Sequence, residues 1–331
     1  MKIAIIGAGV AGLSAAQELK QAGHQVRLFD KGRGAGGRLS TRRAQTPVGE
    51  LRFDHGAQFF TARDDGFRAL IQDFEVQGYV ASWTPRRARL SKQAGDWRAD
   101  TIEADPADQW YVGSPAMNAL VKAMAEGHEI GWNMRATQLE RRPGGNYIQF
   151  EGGDLAGPFD AVILAVPAEQ AGTLLAVHSP ALAKEASEVV TAPCLAAMLA
   201  FEQRVSLGWD VAEIEGAPIS LAVRNSSKPG RDKGETFVLH ASPAWTRANL
   251  DMDNEDVAAT LAGLFGEMTG APQPVFASAH RWLYARTETA AGSPFGWDDQ
   301  SRIGVIGDWR IAPRVEAAWQ SGHALAVFLG D

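Results

Sequence analysis

Cysteine is all but absent from this sequence of 331 residues. Cys194 stands alone, so no internal disulfide can form, and a reducing compartment, with the cytoplasm as the default, is the expected location. Positive charge is also in deficit. Thirty-two Lys and Arg against 39 Asp and Glu give a formal net charge of -7, so no overall field exists to draw a nucleic-acid backbone or an anionic membrane. The apolar run that opens the chain is too short for a membrane span and lacks the cleavage pattern of a signal peptide. Seven histidines are scattered without forming a ligand pair with cysteine or carboxylate, so no metal is expected. Repeats and low-complexity tracts are missing. The chain is nevertheless 45% hydrophobic, enough to fill the core of one large domain or two linked ones. Its ten tryptophans are expected to pack cores and domain interfaces, with one or two available to line a pocket.

What is present begins at the N-terminus. Lys2 to Ile6 reads as a strand buried on both faces of a parallel sheet. Gly7-Ala8-Gly9-Val10-Ala11-Gly12 follows, then a predicted helix from Leu13 to Ala22 closed by Gly23, then a second strand, Gln25 to Phe29, ending on Asp30 and Lys31. Strand, glycine turn, helix, strand and acid in this order describe a dinucleotide-binding unit. Gly7 permits the tight turn, Gly9 lets the backbone approach a pyrophosphate, and Gly12 allows the helix to pack closely on the strand. The helix N-terminus offers free N–H groups and a positive dipole end to the phosphates, while Asp30 can accept hydrogen bonds from a ribose.

Two further apolar strands, one starting at Ala161 and running through Ala165 to Val166 and one from Ile303 to Ile306, are distant in sequence from the first pair. Sharing one sheet with them implies a discontinuous nucleotide domain made of 1–65, 109–170 and 275–331. A substrate domain of mixed α+β type is then inserted as 66–108 and 171–274. The alternating stretches Leu195 to Phe201, Ser220 to Val223 and Phe237 to His240 suggest an antiparallel sheet in the second insertion. The pairs Gly144-Gly145 and Gly152-Gly153 mark turns around a strand from Asn146 to Phe150.

The choice between cofactors rests on three more segments. Gly34-Ala35-Gly36-Gly37-Arg38 continues directly from Lys31 and resembles the second glycine pair plus arginine of the flavin-containing amine oxidases and their relatives. The resemblance implies that the chain passes close to a diphosphate here and that Arg38 neutralises a phosphate charge. Phe53-Asp54-His55-Gly56-Ala57-Gln58-Phe59 resembles the segment beside the isoalloxazine ring, with Gly56 and Ala57 bringing backbone donors near its pyrimidine edge. Val305-Ile306-Gly307-Asp308-Trp309, followed by Pro313-Arg314-Val315-Glu316, resembles the last flavin motif of the class. Asp308 would bind a ribityl hydroxyl or a phosphate-side group, and a helix starting near Val315 would aim its N-terminus at the flavin. FAD, held non-covalently, is the cofactor so implied. Cys194 lies in an apolar stretch away from these motifs, so a thioether to the flavin is not expected.

The whole chain further resembles the renalase family, flavoproteins of the p-hydroxybenzoate-hydroxylase-like fold. The likeness runs through the segments above, through Gly113 to Asn118, and through Arg224 to Arg231 and Val238 to Ser242. It implies oxidation of 2- or 6-dihydro isomers of NAD(P), with O2 as the final acceptor and hydrogen peroxide as product. Asn225 and His240 would be the pocket groups facing the flavin. A monomer or weak dimer is expected, and NAD is not separated from NADP. An amine oxidase is the alternative, but none of the eight lysines lies in the predicted strand from Phe276 to Arg286, and Ile311, Ala312 and Pro313 stand where a cage aromatic is expected. A flavin-binding protein without turnover is the third reading.

Overall fold

The computed structural model describes residues 1–105 and 108–330. Its first layer is a six-stranded sheet in the order Ile130–Gly131, Gln25–Phe29, Lys2–Ile6, Ala161–Leu164, Ile303–Val305, Gly296–Asp298. All neighbours are parallel except the last pair. Ile3, Ala4, Ile5 and the whole of Ala161–Leu164 are fully buried, because helices cover one face and the three-stranded sheet Ala136–Arg142, Gly145–Phe150, Leu155–Phe159 covers the other. The sequence expectation of an α/β fold with a dinucleotide-binding unit therefore holds.

The Val10–Gln21 helix begins directly after Gly9, three residues earlier than the predicted Leu13. It packs along the C-terminal Val315–Gly330 helix. That contact is close because Gly322 has no side chain: a Cβ there would collide with the Ala11 carbonyl. Both ends of the chain are thus fixed against one another.

The second layer is a seven-stranded sheet in the order Phe276–Thr289, Val190–Phe201, Glu235–Ala241, Ile219–Arg224, Val211–Ile214, Arg87–Gln93, Asp96–Ile102. It is antiparallel apart from the pairing of Val211–Ile214 with Arg87–Gln93. The Asn254–Thr269 helix covers one face through Val257, Leu261 and Phe265.

Two boundaries of the sequence reading shift. The Phe276–Thr289 strand, placed with the nucleotide part 275–331, hydrogen-bonds along Val190–Phe201 and so belongs to the second sheet. Conversely, the Asp65–Val76 helix and the Val80–Trp83 strand, assigned to the insertion 66–108, place Phe67, Ile71, Val80 and Trp83 in the core of the nucleotide layer. Alternation reveals that a strand is half-buried, not which sheet it joins. Among the described residues no helix is long and apolar enough to cross a membrane.

Candidate active site

The glycine turn has the geometry its sequence requires. Gly7 adopts φ 109°, and a Cβ there would strike the Ala165 carbonyl; a Cβ on Gly12 would strike Gly7 O and approach the Ala165 side chain. Ala165 N donates to Ile6 O, which locks the two strand ends side by side. Gly9 differs: nothing lies within 4 Å of its missing Cβ, so open space faces the start of the helix. The first-turn N–H groups of that helix, Ala11 among them, have no intrahelical acceptors. A phosphate fits such a cradle.

Asp30 already works within the protein. Its Oδ2 accepts from Ala8 N at 2.8 Å and its Oδ1 from Gly32 N at 2.7 Å, so it braces the glycine turn and offers a ribose only its remaining lone pairs. Lys31 is exposed, with its Nζ 3.5 Å from Gln170 Oε1.

Arg38 and Asp308 were assigned separate duties by sequence, and the structure joins them. The guanidinium meets the carboxylate in a two-pronged pair, Nη1 to Oδ2 at 2.8 Å and Nη2 to Oδ1 at 2.5 Å, across 270 positions. Gly37, with φ 53° and open space at its missing Cβ, carries Arg38 on a short 3-10 turn, and Asp308 opens another immediately after Gly307. Trp309 Nε1 donates to Val166 O, which ties this second turn to the end of the Ala161–Leu164 strand. The cradle at Gly9, the glycine-lined passage at Gly37 and the buried acid at Asp308 fit an extended dinucleotide such as FAD.

Beyond the Arg38 pair lies the Asp54 to Phe59 segment. A Cβ on Gly56 would collide with the Arg38 carbonyl, which also accepts Ala57 N at 2.8 Å. The Ala57 N–H is therefore committed to the protein, a correction to its expected role as a flavin donor. Phe59 stacks on Trp110 with ring centroids 3.5 Å apart and planes 2° from parallel. At the C-terminal motif, the long helix starts at Val315 as expected, but Glu316 is buried and its Oε1 accepts from Arg63 N and Asp64 N at 2.5 and 2.6 Å, while Arg314 is exposed. Glu316 thus ties the helix to the neighbouring loop, and the Arg314 guanidinium lies 3.9 Å from the same carboxylate.

The period of two along the second sheet decides what faces this segment. On Glu235–Ala241, Phe237 and Leu239 point to the Asn254–Thr269 helix, whereas Val238 packs with Leu51 and Phe53 of the Gly49–Asp54 strand. His240 shares the parity of Val238. On Phe276–Thr289, Ala279 faces the helix, so His280 and Trp282 face the same way as His240. Trp282 Nε1 donates to His55 O at 2.9 Å, and the rings of His55, His280 and Trp282 lie 4.5 to 5.2 Å apart. Three aromatic groups thus gather at the Gly56 turn.

Asn225 does not join them. It is buried in a 3-10 turn, its Nδ2 donates to Arg52 O at 2.9 Å and its Oδ1 accepts from Asp54 N at 3.3 Å. It fastens the sheet to the Asp54 to Phe59 segment, with its amide spent on the backbone of Arg52 and Asp54. Sequence reasoning also passed over the charges beside it. Asp54, Lys228 and Arg231 form a buried cluster in which Asp54 Oδ2 accepts from Lys228 Nζ at 3.1 Å and from Arg231 Nη2 at 2.6 Å. Thr41 Oγ1 and Met117 N donate to its Oδ1. Burial alone would raise the Asp54 pKa, but the Lys228 and Arg231 charges and these hydrogen bonds hold it well below the usual carboxylate range. The available signal was an acid at the end of a strand whose neighbours Leu51 and Phe53 are apolar.

A cavity of about 1060 Å3 opens beside the Val10–Gln21 and Val315–Gly330 helices, lined by Ser14, Gln17, Asp64, Trp319 and His323 among others.

Comparison with known proteins agrees with this geometry. A family model described as flavin containing amine oxidoreductase matches residues 78–322, and an NAD(P)-binding Rossmann-like domain matches residues 5–74. The chain belongs to the flavin-containing amine oxidoreductase family. The flavin family and the Rossmann-like match give FAD as its cofactor and place the chain in the flavin-dependent oxidoreductase superfamily. Among solved structures, cyclohexylamine oxidase from Brevibacterium oxydans IH-35A superposes with a TM-score of 0.77 at 12% identity, covering 99% of this chain and 98% of that one. An oxidoreductase from Methanosarcina mazei gives 0.70 at 14% identity, covering 98% and 99%. Among curated relatives, 1-hydroxycarotenoid 3,4-desaturase of Flavobacterium sp. (strain P99-3) is 42% identical over 77 residues, which is 23% of this chain. A 4,4'-diapophytoene desaturase of Staphylococcus aureus (strain Newman) is 52% identical over 78 residues, again 23% of this chain. The matched stretch spans 15% of the length of each of these relatives.

Two outcomes follow for this family member. Cys194 is pushed by burial up to about 12 and stands as a thiol, so it offers no thiolate for a covalent link. Acid or heat denaturation should release intact FAD into the supernatant; yellow colour remaining with the precipitated polypeptide would contradict non-covalent binding. Stability should also fall on mild acidification. Burial, reinforced by neighbouring His280, lowers the His55 pKa to about 4, and burial with the Lys228 charge lowers that of His240 to about 4. The unfolded chain takes up protons near pH 6.5 that the folded protein refuses until about 4, so the stability is fully present above about pH 6.5 and is lost as pH falls toward 4. His55 alone contributes on the order of 3 kcal/mol to that loss. Urea midpoints measured across this window check the slope, and a flat profile would remove the neutral-histidine assignment.

Proposed function

We propose that this enzyme oxidises 2- and 6-dihydro isomers of NAD(P), releasing NAD(P)+. Bound FAD supplies the hydride acceptor at N5, and O2 takes the electrons onward to hydrogen peroxide. The observation that carries the reading is the character of the groups at the Gly56 turn: His240, His280 and Trp282 are aromatic, and burial lowers the pKa of both histidines. Oxidation of a dihydropyridine restores aromaticity without removing a proton, so the chain need supply no general base. Its task is to stack and orient a flat ring, for which Trp282 offers the face and His240 an edge-on polar contact.

Amine chemistry asks for something else, a free lysine close to the reacting centre. Lys228 is the only buried lysine among the described residues, and it is committed to Asp54, Gln58 and Asn225. The Phe276–Thr289 strand contains none. The test is the rate at which separated dihydronicotinamide isomers, 4-dihydro-NAD(P)H, benzylamine and a polyamine each remove the oxidised-flavin absorbance without oxygen.

A further inference from the structure

The Lys228 ammonium is fully buried and has three N–H bonds and three acceptors: Asp54 Oδ2 at 3.1 Å, Gln58 Oε1 at 3.0 Å and Asn225 Oδ1 at 3.4 Å. Neutralising Asp54 does not require it, because Arg231 already meets the same carboxylate oxygen with Nε at 3.0 Å and Nη2 at 2.6 Å. Its distinctive contact is Gln58. With Oε1 held on a cation, the amide cannot turn over, and Nε2 must face the other way, toward Asp54 O at 2.5 Å, Gly56 O at 2.9 Å and His240 Nε2 at 3.3 Å. An amide nitrogen donates and does not accept. Nε2 carries two protons for these three contacts, and a proton on His240 Nε2 would point at that donor, which favours a bare Nε2 with the ring proton on Nδ1.

We propose that Lys228 is a positioning residue of this site, which acts through Gln58 to fix the Gly56 turn and to present His240 as its neutral Nδ1–H tautomer. Six groups bear on the His240 ring. The Lys228 charge opposes protonation, Gln58 Nε2 blocks one nitrogen, the His55 and Gly56 carbonyls favour the charged form, and Asp54 with Arg231 lies one contact further away. Lys228 itself, lowered by burial to about 8 against the Asp54 attraction, keeps its proton at neutral pH. The role of the Nδ1–H as a donor to a nicotinamide carboxamide rests on the proposed function; the tautomer and the turn do not.

Nitrogen-15 NMR of histidine-labelled, oxidised, FAD-loaded protein tests this without any substrate. The wild type should show His240 as the Nδ1–H tautomer and neutral from about pH 7 down to about pH 5. Lys228→Met and Gln58→Met should each release it to a tautomer mixture with a tenfold or greater rise in proton affinity, and the double variant should add nothing further. Arg231→Met, which alters the same ion cluster without touching Gln58, should leave the tautomer in place. A wild-type Nε2–H tautomer, or an unchanged His240 in Gln58→Met, overturns the proposal. Should Lys228→Met fail to fold, Gln58→Met decides alone, since it keeps both ion pairs of Asp54. Failure of the dihydronicotinamide reading would appear in flavin reduction rates and leave these spectra unaffected.

Discussion

Mixed anaerobically with separated dihydronicotinamide isomers, the FAD-loaded enzyme should lose its oxidised-flavin absorbance about a hundredfold faster with the 2- and 6-dihydro forms than with 4-dihydro-NAD(P)H. The isomers have the same charge and nearly the same shape, and differ in which ring carbon bears the hydride. Hydride transfer needs the reacting atoms about 3 to 3.5 Å apart, and a displacement near 1 Å costs on the order of a hundredfold, so a pocket that fixes ring orientation separates them without distinguishing their affinities. Trp282 is itself held by its bond to His55 O, and His240 contacts Gln58, so the two groups proposed to meet the ring are both tied to the Asp54 to Phe59 segment. His240→Ala should slow reduction while FAD stays bound, because the side chain comes from the second sheet. Stopped-flow absorbance gives the rates. Rapid reduction by benzylamine or a polyamine, with none by the 2- and 6-dihydro forms, would place the enzyme among the amine oxidases.

Asp54→Ala should cost the fold about 3–5 kcal/mol, with a fall in Tm on the order of 10 °C. The reason is what remains: Arg231 would keep its charge inside the protein with no carboxylate beside it, and Lys228, already lowered to about 8 with Asp54 in place, would be driven to give up its proton without a partner. Thr41 and Met117 would also lose their acceptor, loosening the approach to the flavin segment. The exposed pair Arg27–Glu129, at 2.9 Å, supplies the contrast, since Glu129→Ala should cost less than about 1 kcal/mol. Thermal and urea denaturation of the two variants measure the difference. Equal losses would mean that the Asp54 cluster is better hydrated than its burial indicates.

The parts legible in the sequence share one property: their meaning is local. Gly7, Gly9 and Gly12 are set by φ and by clearance, and each requirement is met within a few positions or by the strand next door. The same holds for the apolar strands and for the start of the Val315 helix. Asn225 shows where this fails. Its place in a short matched segment pointed to a pocket, yet its amide is satisfied by Arg52 and Asp54, residues more than 170 positions away. Arg38 and Asp308 were each read as ligands of a cofactor, and nothing in either segment indicates that they meet.

By itself, then, the sequence determined a dinucleotide unit at one end, a flavin motif at the other, and the alternation that makes an antiparallel sheet between them. Tertiary structure alone decided which alternating face looks toward the Asp54 to Phe59 segment, and so set His280 and Trp282 against His55 and placed His240 beside Gln58, while turning Phe237 and Leu239 to a helix. It also decided the fate of Asp54 and Lys228. A buried charge is tolerated only where partners converge on it from several elements, and such convergence is a property of three dimensions that no single stretch of chain records.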